Sequence, residues 1–155
     1  MSKTGDVGFE TTRHIRDHCL CLHLQRATRV VARRFDEALR PLDLTSGQFS
    51  LLTSLNRPQP APMGAVAALL AMDRTTLTAA LKPLERRKLI AVAVDPDDRR
   101  NRLLTLTRAG RTLLARAFPI WKRAHAQVEA MMASADPDGL RTELRNLTSS
   151  QTQSS

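Results

Sequence analysis

Apolar residues recur at helical spacing near both ends of the chain, with basic residues on the opposite faces. The first such stretch predicts one helix over residues 12–39, which stops at Arg40 because a proline follows it. The second predicts a helix over 107–133, with a bend expected at Pro119. A last short helix is predicted over 139–147. These helices carry more apolar surface than one small domain covers, so the pattern favours the pairing of two chains.

The middle of the chain predicts three short helices. Thr45 and Gln48 have the spacing of a capping box, in which each side chain satisfies a backbone N–H at the start of a helix. An apolar helix follows over 63–71, and Asp73 is placed to cap the next one. That next helix buries one face, formed by Leu77, Leu81 and Leu84.

A hairpin is predicted where β-prone runs at 91–94 and 102–106 flank the polar sequence DPDDRRN. A short helix, a helix rich in Thr, Lys and Arg, and this basic hairpin follow one another without a gap. This is the order of a winged helix-turn-helix, in which one helix enters the major groove of DNA and the wing lies in a neighbouring groove. The predicted fold class is mainly α with a small β-wing: a winged helix-turn-helix domain flanked by N- and C-terminal dimerisation helices.

The length of 155 residues suits a single domain with a modest core. Two glycines and no apolar periodicity near the N-terminus predict a flexible arm, and the polar last residues predict a disordered tail. The predicted organisation is an arm at 1–11, a domain at 12–148 and a tail at 149–155. Within the domain, the winged-helix part is 45–107, and the dimerisation helices are 12–40 and 108–148.

The charge balance indicates a polyanionic partner. The chain has a net charge of +9 and a pI near 11.1, and most of its basic residues are arginines, which bind phosphates and guanine edges in a forked geometry. The lack of tyrosine and the single tryptophan disfavour RNA recognition by stacked aromatics. No apolar run reaches the length of about 18 residues that a membrane span needs. The N-terminus does not look like a signal peptide, and two cysteines suit a reducing compartment, so we expect a cytoplasmic protein.

Three segments carry a resemblance to a known family: LTSGQFSLL, MGAVAALLAMDRTTLTAALKPLERRKLI and, most specifically, DPDDRRNRLLTLTRAG, with Asp98, Arg100 and then Leu106-Thr107. With these segments the chain resembles the MarR family of winged-helix transcriptional regulators over residues 20–145. The resemblance implies an obligate homodimer that controls genes at a short inverted repeat. It also implies a signal, either a small phenolic or aromatic ligand or the oxidation of cysteine.

Two positions depart from the pattern of that family. Lys88 stands where many members have glycine after the recognition helix, so we expect a lysine in a left-handed conformation, at a cost of about 1 kcal/mol. Pro83 lies inside the helix and removes one backbone hydrogen bond, which predicts a slightly bent or shortened helix.

The predicted DNA-binding residues lie on the recognition helix and in the wing. On the helix, hydroxyls and basic side chains suit contacts to phosphates or base edges. In the wing, the family pattern pairs Asp98 with Arg100 so that the arginine points into a minor groove, where narrow A·T-rich DNA concentrates negative potential. The candidates are Arg74, Thr75, Thr76, Thr78, Lys82 and Arg86 on the helix, and Asp98, Arg99, Arg100 and Arg102 in the wing.

The resemblance also implies an effector pocket, between the first helix and the helix that carries the tryptophan. The candidates to line this pocket are Arg16, His23, Trp121 and His125. The last two are one turn apart, a spacing that equally fits ordinary dimer packing.

Three histidines and both cysteines lie close together in the first helix. Helical spacing divides them between two faces, so half-buried packing and surface histidines are favoured over a metal site, and no metal or cofactor is predicted. By its distance from Arg29 and Thr45, Cys21 resembles the reactive cysteine of the hydroperoxide-sensing branch of the family, although the tyrosines of that branch are missing. On one helix Cys19 and Cys21 point apart, so an oxidised cysteine would join a partner subunit or a small thiol.

The favoured function is a sequence-specific dimeric transcriptional regulator that leaves an inverted-repeat operator when a small aromatic ligand or another signal acts on it. Repression is favoured over activation. A redox- or metal-responsive regulator of the same fold, acting through Cys21 and Cys19, stays open. A non-specific architectural DNA binder also stays open, and would show steep salt dependence and no preferred sequence. An enzyme is not predicted, since the chain has neither a glycine-rich phosphate loop nor an HExxH motif.

Overall fold

The helices and one small sheet follow the predicted order, apart from a break in the first helix and one additional strand. The computed structural model describes residues 5–133 and 136–149, and within them the chain forms seven α-helices and three strands. The helices are α1 (Phe9–His18), α2 (Leu20–Leu39), α3 (Ser46–Ser54), α4 (Met63–Leu69), α5 (Arg74–Arg86), α6 (Arg108–Ala130) and α7 (Pro137–Ser149). The strands are β1 (Ala61–Pro62), β2 (Ile90–Val94) and β3 (Arg102–Leu106). The predicted fold class, mainly α with a small β-wing, is confirmed.

The first predicted helix is interrupted. Helix α1 begins at Phe9, inside the segment predicted as a flexible arm. Cys19 then adopts an extended conformation, with φ −70° and ψ 108°, and α2 begins at Leu20. The prediction of one continuous helix over 12–39 is therefore wrong, because one residue leaves the helical conformation while the apolar spacing persists on either side. A ring nitrogen of His23 lies 2.8 Å from the carbonyl oxygen of Cys19 and gives that oxygen a side-chain partner at the break.

The C-terminal helices lie close to their predicted positions. Helix α6 runs from Arg108 to Ala130 with Pro119 inside it, so the proline does not end the helix. Helix α7 extends two residues beyond the prediction at each end, and Ser149, the first residue of the predicted tail, is its last residue. Residues 150–155 of that tail and 1–4 of the predicted arm lie outside the described residues.

Helices α3 and α5 begin with the predicted caps. The Gln48 N–H donates to the Thr45 hydroxyl and the Thr45 N–H donates to the Gln48 side chain, each at 3.1 Å. At the start of α5, the Thr76 N–H donates to the Asp73 carboxylate at 2.7 Å. Hydrogen bonds from Thr76 lower the pKa of Asp73, which keeps a negative charge at the positive end of the helix dipole. These caps fix where both helices begin.

The core lies between α2, α3, α4, α5, α6 and the sheet. Leu77, Leu81 and Leu84 are buried on the inner side of α5, as predicted. The largest fully buried side chains around them are Leu39, Leu51, Leu52, Leu55, Val66, Leu104 and Leu106. Among residues 5–133 and 136–149, no single helix is long and apolar enough to span a membrane, and α4 with α5 reaches that measure only as a pair bent by 103°.

The sheet is antiparallel throughout, with β3 between β1 and β2. Strands β2 and β3 form the predicted hairpin, with Ile90 opposite Leu106. Strand β1 pairs Ala61 with Leu104 on the other edge of β3. It was not predicted, because two residues inside a proline-rich connector show no strand periodicity. Its pairing attaches the wing to the body of the domain.

A polar junction joins the end of α5, the start of β2 and the start of α6. Thr107 accepts a hydrogen bond from the Gly110 N–H at 3.1 Å and thereby caps α6. Its hydroxyl donates toward the carbonyl oxygens of Lys88 and Leu89, at 2.8 and 2.9 Å. Lys88 has a φ of 57°, so the predicted left-handed conformation is confirmed. The junction fixes the base of the wing relative to α5 and α6.

Candidate nucleic-acid interface

Helix α5 turns its polar side away from the core, as a recognition helix requires. Thr75, Lys82 and Arg86 are exposed along it. Pro83 lies inside the helix, which nevertheless continues to Arg86. Because the buried leucines hold the opposite side of α5 against the core, these three predicted contacts project outward together.

Two of the predicted hydroxyl contacts have partners inside the protein. Thr76 donates to the Asp73 carboxylate at 2.6 Å, and Thr78 donates to the Arg74 backbone carbonyl at 2.8 Å. A hydroxyl has one hydrogen to donate, so both present acceptor lone pairs outward in this arrangement. A phosphate oxygen needs a donor, which leaves Thr75, Lys82 and Arg86 as the better candidates for phosphate on this helix.

Asp98 holds the tip of the wing together. Its carboxylate accepts hydrogen bonds from the Arg100 backbone N–H at 3.0 Å and from the Asn101 side-chain amide at 3.1 Å. The family pattern pairs Asp98 with Arg100, and here that pair is made by the backbone of the arginine instead of its guanidinium. Within the described part of the chain, the Arg100 guanidinium has no hydrogen bond or ion pair, so it can approach DNA without first breaking one.

Further hydrogen bonds close the wing loop. The Asp95 N–H donates to the Asn101 carbonyl at 3.1 Å. The Arg102 guanidinium donates to the carbonyls of Arg99 and Asn101 at 3.2 and 3.3 Å. Arg102 therefore supports the loop, whereas Arg99 contributes a carbonyl and leaves its side chain exposed. Sequence reasoning missed Asn101, because a polar run such as DPDDRRN does not show which member bonds inward.

Two arginines link the DNA-facing elements to other parts of the fold. Arg74, at the start of α5, donates to the Arg100 carbonyl at 3.2 Å and so reaches the wing. Arg87, just after α5, donates to the carbonyls of Asp43 and Leu42 at 2.6 and 3.3 Å. Arg87 holds the end of α5 against the turn that precedes α3. No local pattern predicts this contact, because the partners are 44 and 45 positions away.

The electrostatics of this surface favour a polyanion. The segment 74–102 contains eight basic and four acidic residues. One of the acidic side chains, Asp98, is turned toward backbone and amide donors of its own loop. An exposed positive helix beside a positive wing suits two neighbouring stretches of DNA backbone.

An apolar cavity of about 530 Å³ lies between α3 and α6. Its lining residues are Phe49, Thr53, Asn56, Arg111, Leu114, Ala115, Phe118 and Trp121. Phe49 and Phe118 each stack on Trp121, with ring centroids 6.0 Å apart in both pairs. In this cavity the wall that faces α6 is formed by α3. The pocket predicted from the family resemblance instead lay between the first helix and the helix of the tryptophan. Only Trp121 of the four predicted ligand residues lines this cavity.

The other three predicted ligand residues lie elsewhere. His125 stacks on Trp121 with centroids 4.7 Å apart and does not line the cavity. Arg16 is exposed and pairs with Asp17 at 2.6 Å, and this hydrogen bond raises the pKa of Arg16. His23 bonds the backbone at the helix break. Sequence reasoning missed Arg111, a basic side chain that lines the cavity, because arginines are frequent throughout this chain.

A polar chain leads from the cavity wall to the last helix. The His125 ring lies 3.0 Å from the Glu129 carboxylate, which the Arg141 guanidinium of α7 contacts at 2.7 Å. The hydrogen bond from Arg141 is the main reason why the pKa of Glu129 is lowered. A second carboxylate, Asp138, pairs with the same arginine at 2.7 Å. These pairs attach α7 to the end of α6.

The histidine and cysteine cluster does not assemble into a metal site. His14 and His18 stack with centroids 4.2 Å apart. Cys19 is half-buried, and Cys21 is exposed, with the Gln25 side-chain amide 3.4 Å from its sulfur. Among residues 5–133 and 136–149, no three His, Cys, Asp or Glu side chains are grouped as metal ligands would be.

The chain has a basic recognition helix that begins at the Asp73 cap and a basic hairpin wing that Asp98 orders. These features define a winged helix-turn-helix DNA-binding protein. The sequence profile of the MarR family matches residues 44–101. The structure of the transcriptional regulator MosR from Mycobacterium tuberculosis in complex with DNA is 33% identical, with a TM-score of 0.78 over 87% of this chain and 97% of that one. The chain belongs to the MarR family of winged-helix transcriptional regulators.

Three further relatives are similar over smaller shares or at lower identity. The transcriptional repressor NicR of Pseudomonas putida is 30% identical, over 72% of this chain and 67% of NicR. The transcriptional activatory protein BadR of Rhodopseudomonas palustris is 33% identical over 59% of this chain, and the match spans about half of BadR, 54%. CouR from Rhodococcus jostii bound to p-coumaroyl-CoA is 25% identical, with a TM-score of 0.72 over 85% of this chain and 93% of that one.

Proposed function

We propose that this protein is a homodimeric, sequence-specific repressor that binds an inverted-repeat operator and leaves it when a small aromatic ligand binds. The observation that carries the DNA-binding part is the wing tip, where Asp98 orders the loop and leaves the Arg100 guanidinium unpaired within the described residues. An arginine presented in this way suits a narrow minor groove beside the major groove that α5 enters. The name of NicR, a repressor, supports this direction of control, while BadR, an activatory protein, represents the opposite one.

Exposed apolar side chains on the end helices support the homodimer. Phe118 on α6 and Met131 directly after it are 54% and 52% exposed, and Leu140 and Leu144 on α7 are 47% and 38% exposed. Val30 on α2 is 40% exposed. A second copy would cover such residues, and two-fold symmetry would present two recognition helices to two half-sites of a palindrome.

Selection of bound duplexes from a random DNA pool tests the proposal. At near-physiological salt we expect enrichment of an inverted repeat whose half-sites lie about one helical turn apart. Retention of DNA without enrichment would support the architectural binder instead, because its affinity comes from phosphates alone. No retention by protein freed of bound small molecules would contradict DNA binding altogether.

The cavity between α3 and α6 supports the aromatic effector. Its walls are mainly apolar and aromatic, and Arg111 and Asn56 supply a positive charge and an amide. This combination suits a planar aromatic group with an anionic or carbonyl substituent. CouR, with a similar fold, is bound to the aromatic acyl thioester p-coumaroyl-CoA. We therefore expect an aromatic acid, or a thioester derived from one, to bind beside Trp121.

Filling the cavity is expected to produce a repressor that no longer responds to its ligand. Ala115 lines the cavity from an exposed position, so Ala115→Leu adds three carbons to the space without removing a core contact. Trp121 is the only tryptophan, and its fluorescence therefore reports on ligands in the cavity. The probes are p-coumarate and p-coumaroyl-CoA, and their binding is followed by the quenching of this fluorescence. We expect Ala115→Leu to bind them at least about tenfold more weakly, with its affinity for the operator unchanged.

Ala126→Leu is the matched control, since Ala126 is exposed on the same helix and does not line the cavity. It should bind ligand as the parent protein does. If both variants bind a quenching ligand as tightly as the parent, the effector site lies elsewhere.

A second candidate is a redox-responsive regulator, and the helix break at Cys19 favours it. The break removes Cys19 from regular helical geometry, and the Gln25 amide donates toward the exposed sulfur of Cys21. An organic hydroperoxide would oxidise the Cys21 thiolate to a sulfenic acid and would itself be reduced to an alcohol. A second thiol, from the partner subunit or a small molecule, would then form a disulfide and release water.

Mild cumene hydroperoxide treatment followed by non-reducing mass spectrometry tests this candidate. We expect modification at Cys21, loss of operator binding, and recovery of binding with a reductant. Cys21→Ser should retain binding after the same treatment, and Cys19→Ser separates the two thiols. An unmodified Cys21 under conditions that oxidise free cysteine would eliminate the redox candidate.

A further inference from the structure

We propose that Arg74 is a positioning residue that holds the wing against the recognition helix and thereby aims Arg100 at DNA. Arg74 is the first residue of α5, and its guanidinium donates to the Arg100 carbonyl at 3.2 Å across 26 positions of sequence. Within residues 5–133 and 136–149, this is the one side-chain hydrogen bond that joins α5 to the wing tip. Arg74 therefore acts through Arg100 and not by reading a base.

The peptide groups on both sides of Arg100 are held in place. On the N-terminal side, the Asp98 carboxylate accepts from the Arg100 N–H at 3.0 Å. On the C-terminal side, the Arg100 carbonyl accepts from Arg74. The Asp98 carboxylate also accepts from the Asn101 side-chain amide, and the Asp98 carbonyl accepts from the Asn101 backbone N–H. Asp98 orders the loop internally, and among the described residues only the Arg74 side chain hydrogen-bonds the ordered loop to α5.

The base of Arg74 is fixed well enough to serve as an anchor. The Asp73 cap sets the start of α5, and the Thr78 hydroxyl bonds the Arg74 carbonyl at 2.8 Å. The wing tip has no comparable support from packing, since residues 96–100 are all exposed and Val94 at the end of β2 is 50% exposed. Loss of the Arg74 contact should therefore free the tip while α5 stays in place.

The double-mutant cycle of Arg74→Ala and Arg100→Ala, measured on the selected operator, tests this role. Arg74→Ala alone should weaken binding about tenfold, but less than about twofold when Arg100 is already alanine, because its effect passes through Arg100. In the Arg100→Ala background it should also leave the salt dependence of binding unchanged. Arg86→Ala, with the same loss of charge at the other end of α5, is the comparison and should show additive losses.

A direct phosphate contact by Arg74 predicts a different result. Its loss would then add to that of Arg100→Ala, and the slope of log affinity against log salt would fall by about 0.9 for each contact removed in either background. That outcome overturns the proposal.

The DNA measurements above rest on the proposed function. Backbone order parameters of the DNA-free protein do not, so they test the Arg74 contact separately. In Arg74→Ala we expect the values for residues 98–101 to fall from about 0.85, typical of rigid backbone, toward 0.6 or below, with those of α5 unchanged. Unchanged values at the wing tip would overturn the positioning role even if an operator is found. If these values fall but the selection yields no operator, the Arg74 contact is supported and the proposed function is contradicted.

Discussion

Gly110→Ala is expected to destabilise the protein by about 3 kcal/mol, because the first turn of α6 leaves no space for a methyl group. A Cβ at this position would overlap the carbonyl oxygen of Leu89 and lie 2.6 Å from the Cδ1 atom of Leu106. Leu89 cannot move aside easily, since its carbonyl accepts from the Thr107 N–H at 3.1 Å and lies 2.9 Å from the Thr107 hydroxyl. The clash therefore falls on the junction that sets the base of the wing.

Thermal and denaturant unfolding measure this effect, with Gly64→Ala as the control. A Cβ at Gly64, in α4, would meet no heavy atom within 4 Å, so alanine there should be neutral or stabilising by about 0.4–1 kcal/mol. For Gly110→Ala we expect a midpoint lower by roughly 6–12 °C at this chain length. If the two alanine variants unfold at the same temperature, α6 does not approach Leu89 as closely as described.

The same variant should lose more DNA affinity than its residual folded fraction explains. The junction through Thr107 links the left-handed turn at Lys88, the start of β2 and the start of α6. A shift there moves the wing relative to α5, and the two elements must fit neighbouring grooves at the same time. Operator affinity measured at a temperature where Gly110→Ala is folded separates this displacement from simple unfolding.

Caps and turns were predictable from sequence because their partners are neighbours. Thr45 and Gln48, Asp73 and the residues after it, and Lys88 in its left-handed turn all depend on spacings of a few positions. The break at Cys19 was not predictable in the same way. The apolar pattern that defines the helix continues on both sides of it, and nothing at this cysteine resembles a helix-ending glycine or proline.

The candidate site shows the same limit. Hydrophobic spacing identified the outward side of α5. It could not show that the hydroxyls of Thr76 and Thr78 donate hydrogen bonds to acceptors inside the protein. The cavity requires α3 to face α6, and a local pattern does not determine which helices face each other. Trp121 lines this cavity, whereas Arg16, on the first helix, does not.

Arg100→Ala is expected to give the largest loss of DNA affinity. Each wing arginine should contribute about 1–3 kcal/mol, and the proposed dimer presents two of them to one operator. The loss should then reach about 2–6 kcal/mol, or roughly 30-fold to 10⁴-fold in Kd. The fold should be unaffected, because the Asp98 carboxylate bonds the backbone N–H of this residue, and alanine retains that group.

Arg123→Ala and Arg100→Lys show which property of the arginine matters. Arg123 is exposed on α6, outside the interface, and its replacement removes the same charge. If Arg123→Ala weakens binding as much as Arg100→Ala, net charge alone attracts DNA and the architectural binder is the better description. If Arg100→Lys loses most of the affinity, specifically on operators with A·T-rich flanks, the wing reads a narrow minor groove, where arginine is favoured over the more strongly hydrated lysine. In the proposed complex the Arg100 guanidinium would enter the groove without giving up a partner among the described residues, so the second result is the one we expect.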